Sequence, residues 1–282
     1  MDQASSLTRV KVIAVASGKG GVGKTSVSVN LAASLASAGN RVLLMDADLG
    51  LANVDVLLGL ETRHNLSHVV SGQVELEDIL IDGPGGVQII PASSGVKGMA
   101  ALSAAEQVGL IRSFSELTGD WDYLIIDTAA GIADNVLTFA RAAREVLVVA
   151  CDEPSSITDA YALIKVLNRD FGLHRVHMVA NMIASAAQGQ ELYGKLLRVC
   201  ERYLDLTVAY MGGIPSDDAQ RRAVQQQQAV TTLYPGSPSA RAFRELAKRV
   251  DRLPAPTRAE GHLEFFVERL IQYSGEAGEV LS

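Results

Sequence analysis

The chain predicts an α/β fold, a mostly parallel twisted sheet with helices on both faces, and three observations carry this. Short runs rich in Val, Ile and Leu recur at 10–16, 41–45, 87–90, 123–126, 146–150, 176–180 and 208–211. Continuously apolar runs of that length suit strands covered on both sides. Between most of them lie stretches with apolar residues three and four apart, at 26–38, 104–117, 132–142, 157–171, 189–203 and 217–227, the period of a helix with one buried stripe. Third, a glycine-rich segment joins the first strand to the first helix, and in an open parallel sheet ligands collect beyond the carboxyl ends of the strands.

That segment reads Gly18, Lys19, Gly20, Gly21, Val22, Gly23, Lys24, Thr25, with Ser26 opening the helix. The spacing is that of a P-loop. Glycines let successive backbone N–H groups turn inward on phosphate oxygens, and the helix N-terminus adds positive charge. Lys24 is placed to reach the β and γ phosphates, and the Thr25 hydroxyl to ligate Mg²⁺. The whole run from Gly18 to Ser26 is expected to bind phosphate.

The second strand ends in Asp46 and Asp48, with Asp55 farther on. Residues i and i+2 of a strand share a face, so both carboxylates can look toward the metal and the γ-phosphate. The strand at 123–126 runs into Asp127, suited to a Walker B role on Mg²⁺, directly or through water, and Gly131 permits a moving loop after it. The strand at 146–150 leads to Glu153. Asn181 follows the strand at 176–180, and Pro215 and Asp217 follow the one at 208–211. An asparagine offers donor and acceptor together to an adenine edge. The guanine-reading Asn-Lys-x-Asp pattern is absent, since Met182, Ile183 and Ala184 come next, which favours ATP over GTP.

At 239–252 a helical pattern puts Arg241, Arg244, Lys248 and Arg252 opposite Phe243, Leu246 and Val250. This is either a basic contact surface or a solvated face balanced by Glu245 and Asp251. Pro254 and Pro256 stiffen a linker, 253–260, before a segment at 261–274 that sets Leu263, Phe266, Val267, Leu270 and Ile271 on one side. A helix this short is marginal in water and needs a groove or a lipid surface. The expected organisation is a segment 1–9, a nucleotide-binding domain 10–252, the linker 253–260, the helix 261–274 and a tail 275–282.

Composition bounds the reading. The chain has 282 residues, 48% of them hydrophobic, enough for one large core, and 32 acidic against 25 basic residues give a net charge of −7. That balance disfavours whole-surface attraction to DNA, so no direct DNA binding is expected. No apolar stretch approaches the roughly 20 residues that cross a bilayer, and the start MDQASSLTRV has no signal pattern, so a cytoplasmic chain is expected. Cys151 and Cys200 form no paired-cysteine motif, which argues against a metal-cluster carrier.

The second lysine of the loop, Lys19, narrows the family. The form KGGVGKT resembles the deviant Walker A motif of the MinD/ParA ATPases. The resemblance implies a MinD-like P-loop NTPase fold, ATP and Mg²⁺ as cofactors, and a homodimer with ATP sandwiched between the subunits. Within it Lys19 would reach the partner's nucleotide, with Lys24 and Asp48 completing the catalytic set. Asp48 would orient the attacking water, Thr25, Asp46 and Asp127 would hold or support Mg²⁺, and Asn181, Pro215 and Asp217 would contact adenine or ribose. Lys19 and Glu153 would be dimer contacts. Where the family has proline in the second switch this chain has Ala129, which bears on that loop's stiffness.

Asp2, Gln3, Ala4 and Leu7 match the DQAxxLR motif of the flagellar number regulators of the FlhG/FleN group, with Thr8 at the arginine position and Arg9 one place later. This group implies a transcription activator of the AAA+ class, FleQ, as partner, an FlhF-like GTPase as a second, and a C-terminal helix that visits the inner membrane. Here two glutamates against one arginine leave that helix without a cationic face, so lipid and a groove on the protein's own body both stay open. The rival readings are a MinD-like membrane-cycling positioning ATPase and a ParA-like DNA-partitioning ATPase.

Overall fold

The computed structural model describes residues 10–48, 53–91, 102–117, 121–254 and 263–279. The N-terminal motif at Asp2 to Arg9 and most of the linker lie outside them.

Alternation of apolar runs with amphipathic stretches yields eight strands: β1 (Lys11–Ser17), β2 (Val42–Ala47), β3 (Ile81–Asp82), β4 (Gln88–Ile90), β5 (Tyr123–Ala130), β6 (Glu145–Ala150), β7 (Arg175–Ile183) and β8 (Thr207–Pro215). They form one sheet in the order β3-β4-β2-β5-β1-β6-β7-β8. All neighbours are parallel except β3 and β4. The two-residue β3 carries too little apolar pattern to be read in advance, and it pairs through a tight turn at Gly83, whose N–H donates to Val87 O at 2.7 Å.

Eleven α-helices are present among the described residues: α1 (Lys24–Ser37), α2 (Val54–Leu58), α3 (Leu66–Val70), α4 (Ala104–Glu116), α5 (Asp134–Ala142), α6 (Pro154–Arg169), α7 (Ala186–Tyr203), α8 (Asp218–Gln225), α9 (Val230–Leu233), α10 (Pro238–Asp251) and α11 (Leu263–Glu279). Their starts have local causes. Ser103 and Glu106 form a capping box on α4, and Ser185 and Ser237 cap α7 and α10, the latter with proline in its first turn. The short α2, α3 and α9 carry no long period and are absent from the sequence reading.

Alternate strand residues feed the two faces. Ile13, Val15, Leu44 and Ile125 pack with α1, α10 and the short helices near them, whereas Val12, Ala14, Leu43 and Leu124 pack with α4, α5 and α11. Phe243, Leu246 and Val250 are the buried side of α10, and Lys248 pairs with Glu245 at 2.7 Å on its solvent side.

The C-terminal helix lies on the body. Leu263, Phe266, Val267 and Leu270 are buried in the cluster shared with Leu110, Phe114 and Phe139, Ile271 is half-buried against it, and Glu268 and Gln272 are exposed. The helix continues to Glu279, into the stretch expected as tail.

Candidate functional site

β1 lies between β5 and β6, so the loop leaving its carboxyl end opens over the middle of the sheet. Gly21 and Gly23 take φ of 82° and 81°, the left-handed conformations that turn consecutive N–H groups inward. A side chain at Gly23 would strike the Asn181 amide, and one at Gly18 the Asp159 carbonyl, so the loop is pressed onto β7 and α6. Gly20 and Gly21 face open space instead. Val22 is buried, Thr25 is half-buried in the first turn of α1, and Ser26 accepts from Asn30 Nδ2 at 2.8 Å through its carbonyl.

Beneath the loop, Lys24 and Asp127 meet. Lys24 Nζ is 2.9 Å from Asp127 Oδ1, with side-chain exposures of 7% and 0%. The same oxygen accepts from Ser28 Oγ at 2.8 Å. Ser28, one turn after Lys24, was missed by sequence reasoning; a hydroxyl on an otherwise apolar helix face was its signal. Asp127 Oδ2 is buried and has no hydrogen-bond partner. A buried anionic oxygen left that way is costly unless something cationic meets it.

Asp46 stands directly beside Asp127 in the β2–β5 register. It is buried, and its two oxygens accept from the backbone N–H groups of Asp48 at 3.0 Å, Asn53 at 2.8 Å and Val54 at 3.0 Å. Burial pushes its pKa up to about 6, the neighbouring Asp127 charge adds to the rise, and the three N–H bonds oppose it. Asp46 therefore shapes the turn into α2 as well as facing the site. Asp48 is held by Asn53 Nδ2 at 2.8 Å.

At the rim, Lys19 Nζ contacts Glu153 Oε2 at 2.8 Å and Ser155 Oγ at 2.9 Å of its own chain. Glu153 occupies the N-cap position of α6 without capping it, its carboxylate turned to Lys19 instead. Their hydrogen bond raises the Lys19 pKa above the usual lysine value. The sequence reading made each of these residues a dimer contact; within one chain they pair with each other.

The expected base-reading residues are partly committed to the fold. Asn181 Nδ2 donates to Val22 O at 2.8 Å and so braces the P-loop. Met182 follows at φ 58°, uncommon for a residue with a side chain, and is half exposed. Pro215 ends β8 opposite Ile183. Asp217 clamps two helices: Oδ1 accepts from Ala219 N at 2.9 Å at the start of α8, and Oδ2 from Ser239 N at 2.9 Å and Oγ at 2.7 Å at the start of α10. Among the described residues no group of three His, Cys, Asp or Glu side chains is placed to hold a metal, and no helix is long and apolar enough to cross a membrane.

The loop, Lys24 and the two aligned carboxylates fit a nucleoside phosphate with a divalent cation: left-handed glycines that turn backbone donors toward the phosphates, and the orphaned Asp127 Oδ2 with the Thr25 hydroxyl for the ion. The ParA family model, described as "NUBPL iron-transfer P-loop NTPase", matches residues 9–251. The chain belongs to the ParA family of P-loop NTPases and is an ATPase of the MinD/ParA type. It is 54% identical over 280 residues to the Antiactivator FleN of Pseudomonas aeruginosa, covering 99% of this chain and 100% of that one. The flagellum site-determining protein YlxH of Helicobacter pylori is 33% identical over 270 residues, 94% of this chain and 91% of its own. In structure the chain resembles the septum site-determining protein MinD of Pyrococcus horikoshii, solved with Mg-ADP, at a TM-score of 0.68 and 26% identity over 86% of this chain and 97% of that one.

Proposed function

We propose that this chain is an ATP-dependent dimerising switch that controls flagellar number by restraining a FleQ-like AAA+ activator, with slow hydrolysis resetting it. The observation that carries this reading is 54% identity to an antiactivator along nearly the whole chain. ATP is the proposed ligand.

The loop N–H groups and Lys24 bind and orient the β and γ phosphates, for which Lys24 would exchange Asp127 for phosphate oxygens. Thr25 and Asp127 would hold Mg²⁺, with Asp46 supporting it through water; when bound, the ion neutralises charge on the phosphates. Asp48, steadied by Asn53, orients the attacking water. Lys19 leaves Glu153 and Ser155 to meet the nucleotide of a second copy, supplying positive charge that one chain lacks. The dimer is favoured because it binds ATP better than the monomer does. Asn181, Pro215 and Asp217 border the adenosine.

The partners follow from the same reading: the activator, and an FlhF-like GTPase through the N-terminal segment. A MinD-like membrane cycle is the second reading, favoured by the seating of α11 as a separate helix on the surface of the domain, where it could exchange for the inner membrane. Capture assays with purified FleQ-type and FlhF-type partners, run with ATP, with ADP and with Lys24→Ala, test the proposal. It expects activator capture that depends on ATP and is lost in the variant; capture indifferent to nucleotide would sink it.

A further inference from the structure

Helix α8 closes on a left-handed turn: Gln228 N donates to Ala223 O at 2.9 Å, and Gln227 N to Val224 O at 3.0 Å. That motif puts its left-handed residue at position 227, where glycine is the usual occupant because a Cβ is unfavourable there. This chain has Gln227 instead, at φ 53°, within the run Gln225 to Gln228. A side chain kept at such a backbone position points to a task for that side chain.

Two contacts with α2 supply the task. Gln227 Nε2 donates to Val56 O at 3.1 Å, across 171 residues of sequence. A Cβ on Gly59, the left-handed residue that ends α2, would come within 2.7 Å of Gln227 Oε1 and 3.2 Å of its Cβ, so the glutamine lies directly on that turn. Its own helix is a firm base. Ala219 and Ala223 are buried, Asp217 ties the start of α8 to Ser239 of α10, and Gln226 Nε2 donates to Tyr234 Oη at 3.2 Å.

With five residues, α2 is too short to stand as a helix unaided. Its N-cap residue is Asn53. Asn53 Nδ2 donates to Asp48 Oδ2 at 2.8 Å, and the N–H groups of Asn53 and Val54 donate to Asp46 Oδ2 at 2.8 and 3.0 Å. Asp46 and Asp48 therefore share the start of a helix whose other end is gripped by Gln227. A shift of α2 carries Asn53 with it, and the amide that meets Asp48 moves too.

We propose that Gln227 is a positioning residue for ATP hydrolysis: by holding α2 at Val56 and Gly59 it fixes Asn53, and through Asn53 it fixes the aim of the Asp48 carboxylate at the attacking water. This rests on the reading of Asp48 as the acid that orients that water. The hold lies between α8 and α9, away from the loop and the lysine that bind phosphate, so it governs the rate of hydrolysis and leaves ATP affinity alone.

Glycine suits φ 53°, so Gln227→Gly removes the side chain and relieves the backbone together. In the full chain with Mg²⁺ and saturating ATP, phosphate release should fall about tenfold, inside the roughly hundredfold that a misplacement of ~1 Å can cost. ATP affinity by equilibrium dialysis should be unchanged, and Tm should hold or rise. Gln227→Glu, of equal length but without the N–H donor, should lose rate to the same extent. On an Asn53→Ala background, Gln227→Gly should add less than about twofold, as expected of two residues that act in series. Wild-type rates in either Gln227 variant, with Asp48→Ala slow, would overturn the assignment. So would the full loss added to Asn53→Ala, a fall in Tm matching the loss of rate, or a Gln227→Gly chain that no longer dimerises with ATP on sedimentation. Asp48→Ala hydrolysing at the wild-type rate would instead remove the reading of Asp48 beneath it.

Discussion

Phe266→Ala separates the docked helix from the body it lies on. Phe266 is 2% exposed and shares its cluster with Leu110, Phe114 and Phe139 of α4 and α5. Removing a buried phenyl ring of this kind costs about 3–5 kcal/mol. An undocked α11, 17 residues long, is only marginally helical in water, so the loss should appear as local opening rather than as unfolding of the sheet. At ~1.4 kcal/mol per factor of ten, even the lower figure raises the open population about a hundredfold. Hydrogen exchange read by peptide should show α11 losing that protection while β1, β5 and β6 keep theirs. Equal loss in the strands would mean that the helix is part of the cooperative core, and unchanged protection in α11 would mean that Phe266 does not hold it; either result refutes the reasoning.

Lys24→Ala should abolish ATP binding in equilibrium dialysis, whereas Lys19→Ala should bind ATP and fail to dimerise on sedimentation with it; a normally dimerising Lys19→Ala chain would end the trans role. Asp48→Ala should accumulate an ATP-locked dimer with hydrolysis reduced by about a hundredfold or more, the scale of losing a water-positioning group, as followed by phosphate release. Burial pushes the Glu145 pKa up, but its bond to His177 and the charges of His177, Arg175 and Arg144 hold it below the ordinary carboxylate value of 4.5. Its contribution is then fully present above that value and is lost as pH falls through the lower, folded-state pKa. Glu145→Gln should therefore lower stability at pH 7 by about 1.5–3 kcal/mol, the range for a hydrogen bond to a charged group, and flatten the acid limb of Tm against pH.

Much of the fold was legible because its signals are local: strand runs, helical periods, and a loop whose glycines stand where positive φ is required. The site was legible as far as motif spacing reached. Lys24 and Asp127 are 103 residues apart and Ser28 and Asp127 99 apart, so nothing local says which oxygen the ammonium takes. Asp217 reads as a strand-end polar residue, and its clamp on α10 depends on a serine 22 positions later. Asn181 was legible as a strand-end amide but not as the brace of Val22, which requires β7 and the P-loop to be folded together. The seat of α11 was open between lipid and protein because apolar periodicity states that a face must be covered, not by what. The short α2, α3 and α9 are too brief to show a helical period, although α3 opens on an Asn65–His68 capping box and α2 stops at the left-handed Gly59.

The side-by-side placement of Asp46 and Asp127 on adjacent strands makes the pair an electrostatic ratchet. At rest the Lys24 ammonium meets Asp127 while Asp46 relies on three backbone N–H groups, and a polyphosphate that draws this ammonium away would itself be anionic. Each such withdrawal would leave two abutting acids facing one another in a dry setting, where Asp46 and Asp127 would hold a divalent ion whose charge offsets theirs. Chelator-treated protein should consequently refuse free nucleotide and accept it only together with the ion, because Asp46 and Asp127 are neighbouring rungs of the sheet.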